Sequence, residues 1–186
     1  MLEGEQLHIK EAKRGNKEAF GVLYDYYLPK IYRFVYLKVN SHPETEDLVH
    51  EVFLDAWQNL HGYRYQGFPF SSWLYQIAKN AVIDFYRTSK KNIPIEDVDE
   101  NILRFDGKNS ESLDTELTIE KLKLVIAQLK PDYQDVLIMR FVDDLNHEEI
   151  AAALNKSEGA IRLIQHRAIK ELKSYYDNYG TTAHQT

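Results

Sequence analysis

With 186 residues, 44% of them hydrophobic and 12% aromatic, the chain is long enough for one ordinary domain or two small ones with packed cores. A formal net charge of −6 argues against a protein that coats nucleic acid indiscriminately, and the lack of cysteine removes disulfides, thiolate catalysis and zinc–thiolate sites together. No run approaches the roughly 20 apolar residues of a membrane span, and MLEGEQLHIKEAKRG has neither an apolar core nor a cleavage site, so a cytoplasmic, reducing setting without membrane insertion is expected.

Apolar residues recur every three or four positions, with few Gly or Pro inside the runs, and strand alternation is not sustained, so the expected fold class is all-α. The first helix is expected from about Glu3 to Arg14, closed by Gly15, and the second from a cap at Asn16 to Val39, bent at Pro29. Ser41-His42-Pro43-Glu44 has the spacing of a capping box and opens a third helix to Leu60. On that helix Val49, Val52, Phe53, Ala56, Trp57 and Leu60 make a stripe for the core, which leaves Asp47, His50, Glu51, Leu54 and Asp55 facing out. Two glycines and a proline break the pattern in HGYRYQGFPF. A helix from about Ser71 to Ser89 follows, with Trp73, Leu74, Ile77, Ala81 and Phe85 on its inner side.

Charge divides the chain. Residues 1–92 hold 12 Lys+Arg and 11 Asp+Glu, residues 93–118 hold 2 and 8, and residues 119–186 hold 9 and 10, so the middle segment alone carries the net charge. Rich in Asn, Ser, Gly and Pro and without an apolar period, it reads as a flexible acidic linker at about 92–114. Two small helical domains follow, 1–91 and 115–186. The second begins with a helix from about Leu117 to Leu129, and Pro131 then starts another through Phe141. Asn146, with Glu149 three residues on, caps a short helix, HEEIAAALN, and Ser157 caps a longer one after a tight turn, which is the helix-turn-helix pattern. Only about ten polar residues follow Tyr176, so no fused regulatory domain is expected.

In that pattern Ile150, Ala151 and Leu154 are expected to pack on Ile161, Ile164, Ala168 and Leu172, assisted by the small Ala153 and Ala160. The longer helix then presents Arg162, Leu163, His166, Arg167 and Lys170. From Lys156 to Lys173 there are five basic and two acidic residues, a local excess of positive charge in an acidic protein. Such a helix fits a major groove, where arginine grips guanine edges and lysine neutralises phosphate; a merely solvated amphipathic face is the bland alternative. In the broken segment Tyr63, Tyr65, Phe68 and Phe70 surround Arg64, a composition that suits stacking on unpaired bases and equally suits a loop folded over Trp57 and Trp73.

Enzyme patterns are missing from the sequence: there is no Gly-rich phosphate loop and no G-x-S-x-G, and His147-Glu148 lacks the second histidine of a zinc helix because Ala151 stands there. Asp143-Asp144 is a carboxylate pair whose adjacent side chains point apart, so no metal site, cofactor or catalytic residue is assigned.

The order PETEDLVHEVFLDAW, aromatic loop, FSSWLYQIAKNAVIDFYR, acidic linker, LKPDYQDVLIMRFVDDLNHEEIAAALNKSEGAIRLIQHRAIKEL resembles the extracytoplasmic-function sigma factors, the two-domain members of the bacterial sigma family, over about residues 18–174. The resemblance implies a transcription initiation factor whose partners are core RNA polymerase, promoter DNA and an anti-sigma factor. It implies that Asp47, His50, Glu51 and Leu54 meet the clamp-helix coiled coil of the polymerase largest subunit; the family usually has glutamine where His50 stands. Tyr63, Arg64, Tyr65 and Phe68, with Gln76, Lys79, Asn80 and Arg87 on the following helix, correspond to the part that opens the −10 element and captures a flipped base. Arg162, Leu163, His166 and Arg167 match positions that face the −35 element; beside them Ser157, as the cap of the helix, and Lys156 and Lys170, as cations at its phosphate side, complete the expected −35 surface. The competing readings are a stand-alone helix-turn-helix regulator, which would bind duplex DNA unaided and usually as a dimer, and a helical adaptor that binds only protein.

Overall fold

The structure is a computed structural model that describes residues 2–65, 67–92 and 125–182. Apart from Asn92, the acidic linker lies outside these residues, as does most of the helix expected from Leu117, of which positions 125–128 are helical. Every regular element among the described residues is helical: α1 (Glu5–Lys13), α2 (Lys17–Val39), α3 (His42–Asn59), a 3-10 turn at Leu60–Gly62, α4 (Phe70–Asn92), α5 (Pro131–Phe141), α6 (His147–Leu154) and α7 (Glu158–Thr182). No helix among them is long and apolar enough to cross a membrane.

The centre of the first half is α2. Its Leu23, Tyr27, Ile31, Phe34 and Val35 are fully buried at three- and four-residue steps, so one face of the helix meets α1, α3 and α4 together. Asn16 accepts the Ala19 N–H and starts the helix, which runs unbroken through Pro29 even though that residue has no N–H for the Asp25 carbonyl. Gly15, at φ +92°, makes the sharp exit from α1 that a side chain would disfavour. The stripe read on α3 is buried, with Trp57 half-covered and its ring 4.9 Å from Phe20.

Two local expectations are corrected. Ser41 precedes α3 but its side chain caps nothing; Thr45 Oγ1 instead donates back to the Ser41 carbonyl at 2.6 Å. Pro43 has already removed one of the orphan N–H groups, and His42 is held by stacking on Tyr36 (4.5 Å) and by Tyr32 at 2.7 Å. On α4 Phe70, Leu74, Tyr75, Ala78 and Val82 are fully buried, whereas Trp73, Ile77, Ala81 and Phe85 are half-buried. The arc is displaced because α4 is covered on two sides, by α2 and α3 on one and by α6 on the other. Helix periodicity within one domain does not reveal a second cover.

In the second half α5, α6 and α7 pack around Val136, Ile138, Met139, Ile150 and Ile161. Ala168 and Leu172, expected against α6, instead join Leu129, Tyr133 and Leu137 in a separate cluster on α5. The main core is continuous from the first half into the second.

Candidate nucleic-acid interface

The helix-turn-helix forms from local chemistry. Asn146 and Glu149 make a full capping box at the start of α6: the Asn146 side chain accepts the Glu149 N–H at 2.9 Å, and Glu149 accepts the Asn146 N–H at 2.8 Å. Asn155 ends α6 in the left-handed region (φ 52°), a conformation asparagine tolerates, and Ser157 Oγ then accepts the Ala160 N–H at 3.2 Å to start α7. His147 Nε2 lies 2.6 Å from Gln165, tying the two helices across the turn, and Ile161 is fully buried against Ile150 and Leu154.

With those residues inward, Arg162, Leu163, His166, Arg167 and Lys170 are all exposed, as the sequence reading expected. Arg162 is steadied by Glu158 at 2.8 Å, an exposed pair one turn apart that costs little to break. Leu163 stands 49% exposed amid these charges. Lys156, at the turn, is half-buried and paired with Asp132 at 3.2 Å.

Four other segments converge on the aromatic loop. Arg64, Phe68, Trp73 and Gln76 line a cleft of about 240 Å³ whose far rim is Ala152 of α6. Tyr65 is half exposed, and Gly67 supplies a φ of +89° that lets the loop turn back. Tyr63, expected on the stacking surface, is a correction: it is 8% exposed, with its ring 5.2 Å from Phe70 and 5.1 Å from Trp73, and contributes only an edge to the cleft wall. Burial, followed by the nearby Glu5 carboxylate, pushes its phenol up to about 12. Helix α1 holds the loop from beneath. Glu5, buried, accepts from the Tyr27 hydroxyl and from the Phe70 N–H at 3.0 Å, capping α4 from 65 residues away, while Lys13 donates to the Tyr63 carbonyl. Neither residue was singled out by sequence reasoning; an acid at the start of a helix has an ordinary local explanation.

Of the remaining residues on α4, Asn80 is exposed outside the cleft, and Arg87 is exposed beside Asp84 at 3.1 Å. Lys79 is turned toward the second half, 3.7 Å from Asp132 and 3.8 Å from Asp135. Asp47, His50, Glu51 and Leu54 form one exposed face of α3. His50 also borders a groove of about 540 Å³ between α2 and α3, lined by Tyr24, Leu28, Pro29, Tyr32 and Val49.

Between the halves runs a line of ion pairs that sequence reasoning missed. Lys38 pairs with Asp135, both buried, and Arg33 with Asp143 at 3.1 Å. Burial pushes the Asp135 carboxyl above its usual range, with Lys38 and Lys79 pulling it down, and burial raises Asp143 against the pull of the Tyr75 hydroxyl and of Arg33. Asp143 thus serves as an ion-pair partner of the first half. The available signal was position: Asp135 lies one turn before the buried Met139 on α5, where an apolar residue would be expected, and Asp143 follows just beyond the end of that helix.

Known proteins are similar to this chain in sequence and in fold. The family model for Sigma-70 region 2 matches residues 23–92, and that for Sigma-70 region 4 matches residues 125–174. The chain is 33% identical over 169 residues to the ECF RNA polymerase sigma factor BldN of Streptomyces coelicolor, a match that covers 88% of this chain and 62% of that longer relative. In structure it is similar to CnrH in complex with the cytosolic domain of CnrY, with a TM-score of 0.73, 20% identity and coverage of 94% and 98% of the two chains. It is also similar to the sigma factor RpoE in complex with the anti-sigma factor NepR from Bartonella quintana, with a TM-score of 0.66, 21% identity and coverage of 85% and 96%.

Proposed function

The chain belongs to the extracytoplasmic-function sigma factors of the sigma-70 family, and from that premise we propose that it binds core RNA polymerase and directs initiation at promoters whose −35 and −10 elements it reads with separate halves. It is a regulatory initiation factor, and the bond-making chemistry belongs to the polymerase. Residues 1–91 dock on polymerase through Asp47, His50, Glu51 and Leu54 and open the −10 element with Arg64, Tyr65, Phe68 and Gln76, joined by Lys79, Asn80 and Arg87. Residues 115–186 read the −35 element with Arg162, Leu163, His166 and Arg167, while Lys156, Ser157 and Lys170 hold the backbone, and 92–114 link the two.

The observation that carries this reading is the pairing, on one chain, of a capped helix-turn-helix with an exposed basic face and a cleft lined by Arg64, Phe68, Trp73 and Gln76. The first suits duplex and the second an unstacked base. An anti-sigma partner belongs to the same reading, since a protein covering the exposed face of α3 would keep it from polymerase; the similar RpoE is held by such a factor, NepR. Transcription by core polymerase on a randomised promoter library, with and without the chain, tests the function. Transcripts with defined 5′ ends that depend on the chain are expected, and their absence sinks the reading.

A further inference from the structure

Charge is unevenly matched on the exposed face of α7. Arg162 Nη2 donates to Oε2 of Glu158 at 2.8 Å, one turn nearer the start of the helix, and both side chains reach solvent, 64% and 39% exposed. Among the described residues neither Arg167 nor Lys170 has a carboxylate partner. Three cations on one helix therefore present two chemistries: Arg167 and Lys170 carry their full charge outward, whereas Arg162 and Glu158 together carry none. Nor does the helix need Glu158 for its start, since Ser157 Oγ already accepts the Ala160 N–H.

Resting on the proposed function, we propose that Glu158 is a positioning residue that sets specificity: by neutralising Arg162 it withdraws that side chain from the phosphates and reserves it for a guanine edge in the −35 element. A phosphate is held by net charge, and the strength of the hold follows the number of cations that displace counterions. A neutral pair adds nothing to that number, and its carboxylate repels the backbone. Guanine O6 and N7 are uncharged acceptors, which require N–H groups aimed at them rather than net charge. The guanidinium carries its N–H groups in a rigid plane, so the bond to Glu158 occupies one and leaves a fork free. With the acid four residues before the base, the pair has the favoured helical order, and it fixes the plane of that fork before duplex arrives. In water such a pair is weak; in a groove that excludes water it tightens.

Glu158→Gln keeps the shape of the side chain and removes its charge. Full-length wild type, Glu158→Gln and Arg162→Ala are compared with core polymerase, by transcription from promoters randomised at −35 and by the salt dependence of promoter binding. Glu158→Gln is expected to lower the preference for guanine by at least about fivefold at the position that Arg162→Ala also blurs. Binding to −35 variants that lack this guanine should tighten, and the salt slope should steepen by about one. Specificity lost while affinity rises separates this role from a structural one, because a weakened helix would lower binding to every variant together. An unchanged guanine preference, an equal loss on every variant or an unchanged salt slope overturns the proposal. If the wild-type chain starts no transcripts, the proposed function fails instead, and selection of random duplex by the free wild-type and Glu158→Gln chains decides the pair by the same criteria; a chain that selects no duplex overturns both.

Discussion

The basic face of α7 is carried by one helix and a capped turn, whereas the cleft beside α4 draws on α1, the 3-10 turn, the aromatic loop, α4 itself and the rim of α6. Local chemistry suffices for a surface that meets regular duplex, because the groove supplies the geometry. A surface that is to take single bases out of a stack must supply its own geometry, and at the proposed −10 cleft buried contacts between residues tens of positions apart supply it. Damage far from the DNA should therefore spare the −35 face and disable the −10 cleft.

The sharpest way to break that contrast is Glu5→Leu. It leaves the Tyr27 hydroxyl and the Phe70 N–H buried without an acceptor, at roughly 1 to 3 kcal/mol each, so urea unfolding should show a loss of about 2 to 6 kcal/mol. At temperatures where the variant stays folded, permanganate footprints of the bubble should fade while protection of the −35 duplex persists. Equal loss of both would mean that the two faces are not built differently.

Smaller effects sharpen the comparison. Tyr65→Ala/Phe68→Ala should lose about 1 to 3 kcal/mol per stacked base, read as reduced permanganate reactivity at unchanged −35 protection; a full bubble would remove these side chains from strand opening. Arg162→Ala should cost about 1 to 3 kcal/mol and relax preference at one −35 position, whereas Lys170→Ala should weaken binding evenly and lower the salt slope by about one. A uniform loss over all −35 variants with Arg162→Ala would make that residue a phosphate contact only. Least, Glu51→Lys should weaken core polymerase binding by about 1 to 2 kcal/mol with an unchanged unfolding midpoint, and unchanged retention on core polymerase would move the docking face elsewhere.

How much the sequence foretold follows the same division. Helix positions, the cap at Asn146 and the exposed side of α7 are legible because each depends on residues within one or two turns. The capping box at Ser41 had the right spacing and the wrong outcome, since Pro43 and the stacking of His42 on Tyr36 alter which groups need capping. Tyr63 had the composition of a stacking platform, yet its ring packs on Phe70 and Trp73. The covered side of α4 and the roles of Arg33, Lys38, Asp132 and Asp135 depend on a second half more than fifty residues away. Periodicity within a helix is silent about such partners, although charged residues in an apolar register give a hint.

The central claim is that two separately built faces act together on one promoter under polymerase. Sequencing the 5′ ends of transcripts made on a randomised promoter library by core polymerase with the wild-type chain, and again with Arg162→Ala, tests it most directly. The account predicts two unlike sequence blocks about 25 base pairs apart, roughly 85 Å of duplex, with Arg162→Ala blurring the upstream block alone. A single block, or an inverted repeat of the kind a dimeric helix-turn-helix regulator selects, would contradict it.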